Sequence, residues 1–172
     1  MVVIMTQAIS RSEFLQGRFS AKDRQPRPPW SIAAARFLEL CNQCGDCIKK
    51  CPTGIIQSGR GNYPLIDFNK GECLFCADCV DACQSGALKR DAHSPAWSIS
   101  ASIDSERCLA YKSVECRSCF DPCEQRAIEM RYRVGGVAIP LLNTQRCNGC
   151  GACYSPCPVN AIEMQNPLEV AA

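Results

Sequence analysis

Sixteen cysteines stand in four quartets, and none is left over. The quartets are Cys41-Cys44-Cys47-Cys51, Cys73-Cys76-Cys79-Cys83, Cys108-Cys116-Cys119-Cys123 and Cys147-Cys150-Cys153-Cys157. Three keep the spacing C-x2-C-x2-C-x3-C. The third opens with seven intervening residues where the others have two. Cysteine makes up roughly 9% of the 172 residues, a level that marks either a disulfide scaffold or metal sites. Aromatic residues are only 7%, and the cysteines inflate the apolar fraction, so hydrophobic burial alone is a thin basis for folding.

The spacing C-x2-C-x2-C-x3-C is that of bacterial [4Fe–4S] ferredoxins, in which the fourth cysteine serves the other cluster of a pair. Two-residue gaps let the chain wrap one cubane with three thiolates, while the fourth thiolate, one helical turn on, faces the neighbour. Gly45, Gly149 and Gly151 ease the tight loops. Structural zinc usually takes paired C-x2-C knuckles with a spacer, or histidine ligands, whereas here three close cysteines plus a fourth recur four times with no histidine nearby. The sequence therefore predicts four [4Fe–4S] clusters held by all sixteen cysteines. Cys108 takes the first-ligand position of its quartet, because "IDSERC" parallels "IDFNKGEC" and "LNTQRC"; "LAYKSVE" is then a loop insertion. The competing reading is a labile or three-cysteine site there. Short hairpin-like linkers favour pairing of quartets one with two and three with four. Nested pairing, two with three and one with four, stays open.

The repeat extends past the cysteines. Four and five residues after each fourth cysteine stand Ile55-Ile56, Ala87-Leu88, Ala127-Ile128 and Ala161-Ile162, small or aliphatic pairs that can pack over a cofactor. Three residues on are Gly54, Gly86, Arg126 and Asn160. Glycine and asparagine suit a left-handed helix end; arginine suits it poorly, which suggests a different closure in the third unit. Between quartets the period becomes two. "IEMRYRV" puts Ile128, Met130, Tyr132 and Val134 on one face, with Gly135-Gly136 as a hairpin turn toward "VAIPL". "WSISASI" alternates Trp97, Ile99, Ala101 and Ile103 with serines, and "IIQSGRGNYPLIDF" reads as another hairpin. Pro64 and Pro140 confine their strands to edges. "SIAAARFLEL" reads as a helix capped by Ser31 and leading into Cys41. His93 lies in a polar turn and is given no role. The expected fold is α+β: two ferredoxin-like modules of short strands, cysteine loops and short helices, built around four clusters, behind an N-terminal extension. The boundaries are 1–36 for the extension with its short helix and Pro-rich connector, 37–92 for the first module and 93–172 for the second.

The formal charge is +2. Residues 1–40 hold six Lys/Arg against three Asp/Glu, a local +3; the remainder holds 13 against 14, a local −1. Loading with four oxidised clusters brings the total to about −6. No basic stripe with interleaved aromatics suggests a nucleic-acid partner. No stretch reaches bilayer-spanning length, and no run of apolar residues after Arg11 makes a secretory signal. "SRSEFL" has the outline of a twin-arginine signal with Ser12 in place of the second arginine. The expected location is therefore the cytoplasm, where thiols stay reduced and disulfides are disfavoured.

Four quartets, "RPPW" at residues 27–30, "CRSCFDPCE" in the third quartet and the start "SRSEFLQGRF" together resemble the NapF family, ferredoxin-type accessory proteins of periplasmic nitrate reductase systems. The resemblance covers nearly the whole chain. It implies a cytoplasmic protein that meets the catalytic molybdenum subunit before export and aids its maturation or [4Fe–4S] loading. Within it, "ISRSEFLQGRF" becomes a candidate docking arm through Arg11, Phe14, Leu15 and Arg18; the alternative is a short helix with a Ser10/Glu13 capping box. No nucleophile–base pair, phosphate loop or dinucleotide fingerprint marks an enzyme. The alternative function is a polyferredoxin relaying single electrons between redox partners.

Overall fold

A computed structural model describes residues 26–91 and 94–165. Regular elements are short. The helices are α1 (Ala34–Leu40), α2 (Asp46–Lys50) and α3 (Asp78–Asp81), with 3-10 turns at Arg60–Asn62 and Ala110–Lys112. The strands are β1 (Ile56–Ser58), β2 (Pro64–Ile66), β3 (Ser100–Ile103), β4 (Ile128–Arg131), β5 (Ile139–Leu142) and β6 (Ile162–Gln165). All three two-stranded sheets are antiparallel: β1 with β2, β4 with β5, and β3 with β6.

The two halves repeat one plan. A hairpin, β1–β2 or β4–β5, joins the two quartets of each half, and the segment before the first quartet pairs with the segment after the second. In the second half this outer pair is β3–β6, with Ile103 opposite Ile162. In the first half it shrinks to a single bridge between Ser31 and Leu88. Four backbone hydrogen bonds repeat with it. Ile32, Asp67, Asp104 and Asn143, each leading toward a quartet, donate to the carbonyls of Ala87, Ile55, Ala161 and Ala127. The acceptors are the residues four beyond the fourth cysteines, and each bond closes within its own half. Quartet one is thus folded against quartet two, and three against four; the nested arrangement is not what forms.

The predicted aliphatic pairs make the core. All eight residues from Ile55-Ile56 to Ala161-Ile162 are at most 4% exposed. Pro28, Pro29 and Phe37 are also fully buried. Phe37 anchors α1 against Tyr63 at 6.4 Å between ring centroids, with the Arg27 guanidinium 5.5 Å above its ring. Phe37→Ala is expected to cost about 3–5 kcal/mol, the usual range for deleting a buried aromatic ring. Chemical denaturation of the iron-loaded protein measures it; a change under about 1 kcal/mol would show that α1 is not anchored this way.

Helix α1 and the β4 hairpin depart from the sequence-based expectation. Ser31 does not cap α1: the helix begins after Ala33, without a side-chain cap, and the Ser31 hydroxyl donates to the Pro28 carbonyl at 2.6 Å. The alternation at 128–134 does not run its full length. Strand β4 ends at Arg131, and Tyr132 and Val134 point into solvent, 80% and 108% exposed. The tip turns earlier than Gly135-Gly136 alone, with Gly136 N–H bonded to the Arg133 carbonyl. No buried neighbour faces these two side chains, so period-two patterning had nothing to pack against.

Candidate iron–sulfur sites

Three of the four quartets bend the chain in the same way. In quartets one, two and four the residues on either side of the second cysteine are left-handed: Gln43 and Gly45, Phe75 and Ala77, Gly149 and Gly151. This double reversal turns three thiols inward around one point. Glycine was legible as the loop former, but Gln43, Phe75 and Ala77 hold the same backbone shape without it, at a conformational cost of about 1–2 kcal/mol each. The third quartet lacks these reversals at Glu115 and Arg117 and uses its insertion instead. Ala110 is buried, packed with Ile139 and Ala161, and the Tyr111 hydroxyl donates to the Pro140 carbonyl at 3.3 Å. Cys108 is itself buried, its N–H held by the Asp104 carbonyl at 3.0 Å.

The closure after the fourth cysteine is identical in all four units. Gly54, Gly86, Arg126 and Asn160 all adopt positive φ, 65°, 74°, 47° and 49°. Each donates its N–H to the carbonyl of the fourth cysteine of its quartet. Arg126 therefore closes like the others, against the expectation that its unit would differ. Packing of the Ala127-Ile128 pair overrides the arginine's preference. Arg126→Gly is expected to raise stability by up to about 1 kcal/mol by relieving the left-handed strain. A lower denaturation midpoint for the iron-loaded variant would contradict this.

The thiols gather into four sets, and each set crosses quartets. Burial pushes the Cys47 thiol up to about 11, helped by the neighbouring thiols of Cys41, Cys44 and Cys83. Cys79 is pushed to about 12 by burial and by Cys73, Cys47, Cys76 and Cys51. Burial likewise pushes Cys119 to about 12, with Cys108, Cys116 and Cys157 beside it. Cys153 reaches about 12 through burial and through Cys150, Cys147, Cys119 and Cys123. The fourth cysteine of each quartet thus stands near the cysteines of its partner quartet, and the third cysteines Cys47 and Cys79, like Cys119 and Cys153, also stand near one another. Two cavities show the same sets directly. One is lined by Cys51 with Cys73, Cys76 and Cys79 and walled by Ile55, Ile56 and Phe75. The other is lined by Cys123 with Cys147, Cys150 and Cys153 and walled by Ala127 and Ile128. The two cavities match in lining, as two copies of one site should.

Two of the fourth cysteines, Cys51 and Cys83, differ electrically from the third ones. Burial alone would raise Cys51, but the Ile56 N–H, the Thr53 hydroxyl and the Ile55 N–H outweigh it and lower its pKa. Cys83 is lowered in the same way, burial being outweighed by the Ser85 hydroxyl and the N–H groups of Leu88 and Ala87. The Leu88 N–H lies 3.4 Å from the Cys83 sulfur, and the Ala161 N–H 3.1 Å from that of Cys157. Donors aimed at sulfur stabilise the thiolate, the form that ligates metal.

This donor set fits an iron–sulfur cluster. Two cavities offer four thiols and an apolar wall, and backbone N–H groups are directed at the sulfurs of Cys51, Cys83 and Cys157, the environment in which such clusters sit. One tetrahedral ion at a metal–sulfur distance of about 2.3 Å draws its ligands much closer together. Among the described residues, no three Cys, His, Asp or Glu side chains are gathered tightly enough for a single ion. The candidate docking residues Arg11, Phe14, Leu15 and Arg18 lie outside the described residues, as does His93. Among the described residues, no helix is long and apolar enough to cross a membrane.

Fold and thiol geometry define a ferredoxin-type [4Fe–4S] protein with two domains of short strands and short helices. The profile of the 4Fe-4S dicluster domain matches residues 40–88, and that of the 4Fe-4S binding domain matches residues 140–163. Neither reaches the third quartet, whose first spacing is the unusual one. The chain is 45% identical over 141 residues to the ferredoxin-type protein NapF of Escherichia coli strain K12, covering 82% of this chain and 85% of that one. It is 42% identical over 152 residues to NapF of Haemophilus influenzae, covering 83% and 85%. A methylamine utilization ferredoxin-type protein, MauM of Paracoccus denitrificans, is 31% identical over 143 residues, covering 74% and 64%. The chain belongs to the NapF family of ferredoxin-type proteins.

Proposed function

We propose that this chain holds four [4Fe–4S] clusters and serves in the cytoplasm as an accessory protein to the catalytic molybdenum subunit of a periplasmic nitrate reductase, aiding its maturation or cluster loading before export. The observation that carries the reading is the gathering of thiols across paired quartets, with two such sets lining cavities, in a chain similar to NapF over most of its length. Cys41, Cys44, Cys47 and Cys83 would hold the first cluster, and Cys73, Cys76, Cys79 and Cys51 the second. Cys108, Cys116, Cys119 and Cys157 would hold the third, and Cys147, Cys150, Cys153 and Cys123 the fourth. A bound cluster supplies one-electron chemistry. The protein's own residues fix the thiolates, keep water from the sulfur on the apolar side, and donate N–H groups to the fourth ligands. We read residues 37–92 and 93–172 as the two modules and 1–36 as the extension. Arg11, Phe14, Leu15 and Arg18 remain its candidate docking residues.

A non-enzymatic role accords with the relatives, which are named ferredoxin-type proteins. A second reading, a relay of electrons between redox partners, is favoured by the close joint between the two modules described below. One experiment separates the two. The iron-loaded protein is mixed anaerobically with the iron-free catalytic precursor, and iron is counted on both after separation. The maturation role expects a complex and iron gained by the precursor. A failure to bind, with iron unchanged on both, would overturn it.

A further inference from the structure

The two modules meet at their inner pockets. The Cys73 N–H donates to the Cys150 carbonyl at 2.8 Å, so a cysteine of the second pocket is bonded directly to one of the fourth. The surroundings press this joint closed. The Trp97 Nε1–H donates to the Asn148 carbonyl at 3.0 Å. Phe68 of the first module lies 5.9 Å from Tyr154 of the second and 6.0 Å from Trp97, and Phe75 lies 5.6 Å from Trp97. Two glycines allow the approach. A Cβ on Gly151 would run into the Phe68 ring, and one on Gly149 would overlap the Ile99 carbonyl and stand 2.9 Å from Trp97 Nε1. Both residues also have positive φ, 74° and 88° for Gly149 and Gly151.

We propose that the Cys73–Cys150 joint is the electronic contact between the modules, with Gly149, Gly151 and Phe68 as its positioning residues. The order of the pockets is then first, second, fourth, third, which is not the order of the sequence. This rests on the reading that the pockets hold clusters. One electron leaves the reduced group on one side of the joint and enters the oxidised group on the other; no bond is made or broken and no proton is required. The first and third pockets are left as the two ends, where electrons enter or leave.

The test uses the full chain with both outer pockets disabled by Cys41→Ser, Cys44→Ser, Cys108→Ser and Cys116→Ser. Iron is counted, and the dithionite-reduced protein is studied by electron paramagnetic resonance. The expected result is about eight irons and a spectrum broadened by magnetic interaction of the two remaining groups. Adding Gly151→Ala should sharpen it toward two independent signals at unchanged iron. Adding Phe68→Ala as well, which makes room for the new methyl, should restore the broadening. Eight irons with two non-interacting signals would overturn the proposal. A lower iron count would instead strike at the assignment of thiols to pockets. In that event anomalous scattering from iron in wild-type crystals decides: the nearest pair of centres in different modules must be those beside Cys73 and Cys150, and any other nearest pair overturns the proposal.

Discussion

Anaerobic removal of all iron by a chelator is expected to abolish the fold, with loss of most of the native circular dichroism and rapid proteolysis between the quartets. The regular elements cannot stand alone. Helices here run four to seven residues, far below the ~12–15 at which isolated helices become marginal. Each sheet has two strands of three or four residues, and an isolated two-stranded hairpin is at best marginal in water. The core is not an independent apolar body either. Cys47, Cys79, Cys108, Cys119 and Cys153 are themselves core residues, interleaved with the aliphatic pairs. Emptying the pockets leaves these thiols facing one another across space that only a cluster fills, so the binding energy of the metal is folding energy. Retention of the native spectrum after complete iron removal would show that burial alone suffices.

Loss of one fourth cysteine is expected to damage the pocket of the other quartet. Cys83→Ser should cost about one to four irons, and the loss should come from the pocket of Cys41, Cys44 and Cys47. Combination with a second variant locates it. Cys83→Ser with Cys41→Ser, two changes at one site, should lose little more iron than either alone. Cys83→Ser with Cys76→Ser, two changes at different sites, should lose the sum. Such non-additivity is the signature of residues that share a site. The reverse pattern, sum with Cys41→Ser and no added loss with Cys76→Ser, would place each fourth cysteine with its own quartet and break the crossed arrangement.

The sequence carried the pocket chemistry better than the paths between pockets. Cysteine spacing and the Ile55-Ile56 type pairs are local signals, repeated four times, and the core is built on them. The hairpins at 56–66 and 128–142 were visible from alternation and turn residues. Three things were not. The loop reversals at Gln43, Phe75 and Ala77 are imposed by closure around the site on residues with no preference for them. Arg126 misled for the same reason: its backbone is dictated by the buried pair that follows. The joint between modules rests on contacts far apart in sequence, Cys73 with Cys150 and Phe68 with Gly151. Gly149 and Gly151 were legible as loop formers. Their second use, admitting Ile99 and Phe68, needs the partner surface to be seen.

Native mass spectrometry of the anaerobically purified full chain tests whether sixteen thiolates hold four clusters. One dominant species is expected, carrying about sixteen irons and as many sulfides, its mass showing every thiol deprotonated and none oxidised. A species with about twelve irons would leave one of the four pockets without its cluster. A mass that fits zinc or disulfides in place of iron and sulfide would contradict the account altogether.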